Sequence, residues 1–183
     1  MTILTLNAGS SSIKYKVFRN TNKQLTPFIS GIIEAIGERK SQWTHQEDSQ
    51  ILEITDHEQA MNLLAAKLAI ELKQISITAI AHRVVHGGTV FHKPSLITRK
   101  VLAELEQLVP LAPLHNPANI TCINIAQKLF DDIPNYAIFD TAFHQTMPSQ
   151  AYTYAIDKSI AQCVKMITQK DDLSYEEITC KET

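Results

Sequence analysis

Thr2-Ile3-Leu4-Thr5-Leu6-Asn7-Ala8-Gly9-Ser10-Ser11-Ser12-Ile13-Lys14-Tyr15-Lys16-Val17-Phe18-Arg19 is the stretch that decides the fold. Residues 2–6 are apolar and threonine-rich, the composition of a strand. Asn7 to Ser12 is small and polar and reads as a turn, and Ile13 to Arg19 returns as a second strand, so the chain opens on a hairpin. Working outward, short strands are expected at Phe28–Ile33 and Gln50–Ile54. Asp56 then opens a helix, with Gln59 in the capping-box position. Met61, Leu64, Ala65, Leu68 and Leu72 continue it as one apolar stripe. Ile75–His82 reads as a strand and Thr98–Leu108 as a short helix. Asn116 and Pro117 read as N-cap and first-turn proline of a helix running to Phe130. Tyr136–Phe139 is a last buried strand, ending at Asp140. Strands first, then helix and strand in alternation, give a mixed sheet with helices packed on it. The predicted fold class is therefore α/β, a mixed sheet with flanking helices, and by analogy of element order it is similar to a ribonuclease-H-like domain.

With 183 residues, 44% of them hydrophobic, the chain can bury a core of one domain, or of one domain with an incomplete second. A formal net charge of −2 and no cluster of Lys or Arg argue against a nucleic-acid partner. Cys122, Cys163 and Cys180 are an odd set with no close pairing, which reads as reduced thiols. The apolar start ends at Asn7, too short for a leader core or a membrane span, so the expected location is the cytoplasm, with no membrane partner.

Four segments carry chemistry. The Asn7–Ser12 turn can aim consecutive N–H groups at one anion, with serine hydroxyls as extra donors and Lys14 as a nearby charge. It is not a Walker A loop, and a plain serine-rich hairpin turn would carry the same letters. In His82-Arg83-Val84-Val85-His86-Gly87-Gly88 the histidines are four apart. On a strand that separates them by roughly 13 Å, too far for one zinc ion. Arg83 and Val85 share parity there, a planar cationic fork beside a small apolar surface, suited to a carboxylate with a methyl tail. A surface arginine in an ion pair is the bland alternative. Gly87 and Gly88 are expected to let another backbone approach. Further on, Leu114 can complete an apolar pocket and His115 can donate to a phosphoryl oxygen, or serve the helix start. Asp140, at a strand's carboxyl end, can hold magnesium, or form a cap or loop salt bridge.

Taken together, Asn7–Lys14, His82–Gly88, Ala112–Pro117 and Phe139–Thr146 resemble the acetate kinase family, which carries NxGSSSxK, HRxVHGG, APLHNP and FDTAFHQT in this order. The resemblance runs from the N-terminus to about Ile156. It implies the acetate and sugar kinase, heat-shock ATPase and actin superfamily, with two ribonuclease-H-like domains flanking a cleft. It also implies ATP and acetate as substrates, Mg2+ as cofactor, and a homodimer for full-length members. By position, Asn7, Ser10 and Ser12 match residues addressing phosphate and the magnesium site, with Lys14 and His115 in support. Arg83 matches the catalytic arginine that binds the carboxylate and the transferring phosphoryl group. Val85 and Leu114 match the methyl pocket, and Asp140 the catalytic aspartate close to magnesium.

The resemblance then stops. The family continues into HGTSH, a second arginine, glycine-rich nucleotide loops and a magnesium-binding glutamate, none of which occurs here. The expected organisation is an acetate-kinase-like domain over 1–156 and a divergent or truncated tail over 157–183, where Ile160, Val164 and Ile167 suit a short helix. Acetate kinase activity is the implied function, weak or absent in this chain. A propionate or butyrate kinase of the same fold, and a non-catalytic binding half-domain, are the rival readings.

Overall fold

A computed structural model describes residues 1–21, 24–73 and 75–142, together with Pro148. Met1–Phe143 is one compact unit; the second, His144–Thr183, lies outside the described residues apart from Pro148, and with it the expected tail helix. The strands are β1 (Thr2–Ala8), β2 (Ile13–Thr21), β3 (Gln24–Glu34), β4 (Ser41–His45), β5 (Asp48–Leu52), β6 (Ala79–Val84), β7 (Ser95–Leu96) and β8 (Asn135–Phe139). The helices are α1 (His57–Glu71), α2 (Arg99–Gln107) and α3 (Asn116–Leu129).

One mixed sheet results, in the order β5-β4-β3-β2-β1-β6-β8-β7. β1 to β5 form an antiparallel meander, while β1, β6 and β8 run parallel at its centre. Alternation in β1 buries Thr2, Leu4, Leu6 and Ala8 on one face and turns Ile3, Thr5 and Asn7 to the other. The buried face meets Met61, Leu64 and Leu68 of α1 and Ile125 and Ala126 of α3 in one core. A second core joins Val84, Ala137 and Phe139 to Leu105 of α2 and Ile123 of α3.

Several boundaries differ from the sequence expectation. β1 runs on through Asn7 and Ala8, so the turn shortens to residues 9–12. β4 lay unmarked, because Gln42 and Thr44 alternate with Trp43 as solvent-side residues. The Ile75-Ser76-Ile77 alternation looks like a strand but is the connection into β6, with both isoleucines packed on the core. The last strand buries one face only, since Tyr136 and Ile138 are 36% and 40% exposed. Asp56 does cap α1 by accepting from Gln59 N at 2.8 Å; the Gln59 side chain reaches back one residue further than expected, to Thr55 N.

His82, on the helix-facing side of β6, is 2% exposed and bonded at 2.7 Å to Asn135 Oδ1. Asn135 Nδ2 donates to Ile133 O, which fixes the amide, so the His82 Nε2–H is the donor. Burial pushes the imidazole down to about 4, against the hydrogen bond to Asn135, which works the other way. The unfolded chain therefore takes up a proton near pH 6.5 that the folded chain refuses until about pH 4. Stability is full above that window and falls as the pH drops through it, by about 3 kcal/mol. Thermal unfolding at pH 7 and pH 4.5 checks this. His82→Gln, which keeps a donor for Asn135, should lose much less on acidification than the wild type; equal losses would remove His82 as the cause.

Candidate active site

Strand register brings the chemical residues together. Leu6 stands opposite His82, and His82 opposite Ala137, so Asn7 and Arg83 follow side by side, with Ile138 next to Arg83. Asp140 lies one residue past the end of β8, and its carboxylate reaches Arg83 on that same side. All three groups emerge at the carboxyl ends of parallel strands, on the sheet face away from the helices. There they touch. Arg83 Nε donates to both Asp140 oxygens at 3.0 Å and Nη2 donates to Oδ2 at 2.6 Å, a bidentate fork, while Nη1 donates to Asn7 Oδ1 at 3.0 Å.

This pair is about half exposed, 47% for Arg83 and 41% for Asp140. Ion pairs so open contribute only about 0–1 kcal/mol to folding. Arg83 is thus a surface arginine in an ion pair, but its partner is the carboxylate that the sequence singled out as a magnesium ligand. A depression of about 730 Å3 adjoins it on the open face, lined among others by Asn7, Lys14, Lys16, Ile32, Arg83 and Ile138. Lys14 is the register partner of Asn7 on β2.

The other expected residues are placed less centrally. In the shortened turn Gly9 N–H is spent on Ser12 O at 2.7 Å, so that amide is not available to an anion nest. The turn is also braced from α1 by His57, whose Nε2 lies 2.7 Å from Gly9 O. Ser10 is exposed and Ser12 half-buried. β6 ends at Val84, so Val85 sits in the loop beyond it and strand parity does not align it with Arg83. Val85 is half-buried, Leu114 is 77% exposed, and neither lines the depression beside Arg83. His115 is the N-cap of α3 but makes no side-chain capping bond, and Asn116 is the first helical residue rather than the cap. Gly87 and Gly88 admit side chains, not a backbone: a Cβ at Gly87 would meet the Phe139 ring at 2.8 Å, and one at Gly88, whose φ is +60°, would meet Leu108 at 2.7 Å.

Sequence reading missed two residues, Asn116 and Asn119, which are buried at 0% and 2% exposure in the first turn of α3. Asn116 Oδ1 accepts from His86 N, and its Nδ2 donates to His86 O and Leu108 O. Asn119 accepts from Val85 N and donates to Ala8 O. The signal was present: both occupy the stripe that continues as Ile123 and Ala126, where an unpartnered polar side chain is costly.

Asp140 and Asn7 offer oxygen donors of the kind that suits magnesium, which takes one or two protein ligands and fills its shell with water and phosphate oxygens. Among the described residues no cluster of three or more His, Cys, Asp or Glu side chains occurs, and no helix is long and apolar enough to cross a membrane. Cys122 is buried against Met61, and burial pushes its thiol up to about 12. Cys163 and Cys180 lie outside the described residues.

The mixed sheet and its flanking helices have the ribonuclease-H-like fold. The crystal structure of acetate kinase from Porphyromonas gingivalis superposes with a TM-score of 0.79 at 34% identity, over 88% of this chain and 42% of that one. A propionate kinase from Francisella tularensis gives 0.79 at 33% identity, over 92% and 50%. The sequence profile of the acetokinase family matches residues 2–167. The acetate kinase of Streptomyces coelicolor is 47% identical over 168 residues, covering 87% of this chain and 41% of that protein. The chain belongs to the acetokinase family. It spans about 41% of the length of the curated relatives it matches.

Proposed function

We propose that this chain forms one wall of an acetate kinase active site, where ATP and acetate exchange a phosphoryl group to give ADP and acetyl phosphate. The observation that carries this reading is the convergence of Arg83, Asn7 and Asp140 at the carboxyl ends of three adjacent parallel strands. Acetate has a carboxyl pKa near the glutamate reference of about 4.3, so it is already ionised at neutral pH and needs no general base. What remains is positioning and charge neutralisation. Arg83 supplies the planar fork for carboxylate and phosphoryl oxygens. Asn7 holds that fork through Nη1, and Lys14, Ser10 and Ser12 address phosphate oxygens from the neighbouring turn and strand, with His115 in support. Asp140 and Asn7 would hold Mg2+, which when bound neutralises developing phosphate charge. Val85 and Leu114 would meet the acyl methyl. The site works on small molecules in the cytoplasm.

Propionate is a second substrate candidate, because the propionate kinase superposes as well as the acetate kinase does. One methylene changes pocket preference by only about 1–3 kcal/mol.

The site lies on an open face, and half a cleft does not enclose ATP. The 183-residue chain alone is expected to form little or no acetyl phosphate from acetate and MgATP. Fused to the remaining part of the Streptomyces coelicolor enzyme, it should form acetyl phosphate readily, and kinetics with acetate, propionate and butyrate then rank the substrates. An inactive but folded fusion would count against the kinase reading. Robust turnover by the short chain alone would show that one wall suffices.

A further inference from the structure

β1 and β6 carry Asn7 and Arg83. They are paired from Ile3 opposite Ala79 to Leu6 opposite His82, and the pairing goes no further. Beyond that point a parallel ladder no longer fixes the distance between the strands, yet this is where the two functional side chains must meet.

On the helix side the gap is closed by one residue. Asn119 Nδ2 donates to Ala8 O, the end of β1, at 2.7 Å, and Asn119 Oδ1 accepts from Val85 N, just past the end of β6, at 3.2 Å. A carboxamide has the donor and acceptor of a peptide group, so it stands in for the missing rung of the ladder. One turn earlier Asn116 grips both N–H and C=O of His86, which fixes the direction of the Val85–His86 segment. Both asparagines are buried with their polar atoms partnered, and no buried side-chain N or O among the described residues lacks a partner. An apolar residue would fill the same space, but would leave the Val85 N–H and the Ala8 carbonyl without these partners.

We propose that Asn119 is a positioning residue: its side-chain amide sets the spread of the β1 and β6 ends and so the meeting of Asn7 with Arg83. Its side chain bonds to Ala8 and Val85 and to neither Asn7 nor Arg83. It acts through Ala8, the neighbour of Asn7, and through Val85, two residues beyond Arg83.

The geometry can be tested in the 183-residue chain without catalysis. In Asn119→Ala the Arg83 Nε–H resonance should shift and the Val85 amide should exchange with solvent about ten-fold faster or more. Ile123→Val, on the same helix and equally buried, should lower the melting temperature and leave both signals where they were. A folded Asn119→Ala chain with an unmoved Arg83 signal overturns the proposal. If that variant does not fold, Asn119→Asp carries the same readout: it keeps the acceptor for Val85 and loses the donor to Ala8, so Val85 stays protected while the Arg83 signal moves. In the wild type the Asn119 Nδ2 protons should exchange as slowly as the β6 amides, and fast exchange there is fatal to the idea without any variant.

The catalytic meaning of this bridge rests on the kinase reading, and sodium acetate added together with magnesium chloride separates the two. If the wild-type Arg83 signal ignores acetate but moves in Asn119→Ala, the bridge stands and the kinase reading weakens. If it responds to acetate but is unchanged in Asn119→Ala, the bridge fails and the kinase reading stands.

Discussion

Arg83→Ala is expected to lower turnover by a hundred- to a thousand-fold or more in a full-length protein carrying this segment. Loss of one preorganised donor to a developing negative charge costs about 3–4 kcal/mol of transition-state stabilisation. Arg83 offers a charged fork in place of one neutral donor, so that is a lower bound. The same change should barely touch folding. The Arg83–Asp140 pair is half exposed, and Arg83 contributes no side chain to either core. Steady-state kinetics beside a thermal melt therefore separate the two effects. Unchanged turnover would remove Arg83 from the chemistry, and a collapsed melt would mean the ion pair holds the fold.

The largest stability effect is expected at Gly31. Tyr15, Gly31 and His45 stand abreast on β2, β3 and β4. The Tyr15 side chain crosses over Gly31, so that its hydroxyl meets His45 Nδ1 at 2.5 Å and accepts from Trp43 Nε1 at 2.9 Å. His45 Nε2 continues to Glu71 of α1 at 2.9 Å, and Lys67 closes the far side at 2.9 Å. Burial pushes the Tyr15 hydroxyl up to about 12, so it stays protonated. For Glu71 burial works to raise the carboxyl, but hydrogen bonds from Lys67 and His45 outweigh it and hold the group below the usual range. A Cβ at Gly31 would collide with the Tyr15 hydroxyl and ring, and would stand 2.6 Å from the Thr44 carbonyl oxygen. The Thr44 carbonyl belongs to a paired strand and cannot swing away. Gly31→Val combines overpacking with a broken polar network, so about 3–5 kcal/mol is expected. That corresponds to a fall of roughly 10 °C in melting temperature for a domain this size. Tyr15→Phe should not rescue it, because the ring carbon and the carbonyl remain in the way. A Gly31→Val chain melting within a degree or two of wild type would refute the packing described here.

How much of this was legible in the sequence depended on whether the information was local. Alternation in Thr2–Leu6 and Ile13–Arg19, the Asp56 cap and the stripe from Met61 to Leu72 all report on neighbouring residues, and those elements formed where read, with ends shifted by up to two residues. Arg83 and Asp140 could be singled out because charged residues at strand ends are conspicuous. Their contact with each other and with Asn7 depends on β1, β6 and β8 lying adjacent and parallel, which no local pattern states. Trp43 was missed as a strand residue because its neighbours Ser41, Gln42 and Thr44 are polar, and its burial depends on the Tyr15 hydroxyl. Asn116 looked like a helix cap because asparagine before proline usually is one. Its amide is instead consumed by His86, thirty residues earlier in the chain. Gly31 gave no sign at all, since what it avoids lies on two other strands.

The salt link between Arg83 and Asp140 has one more implication. With the guanidinium already paired to a resident carboxylate, the uncompensated positive charge along the pocket comes from Lys14 and Lys16, and a bulk anion gains little at Arg83 itself. A visiting carboxylate must exchange with Asp140 rather than simply add. That exchange becomes favourable when a cation draws Asp140 aside, which makes occupancy of the two halves of the pocket mutually reinforcing.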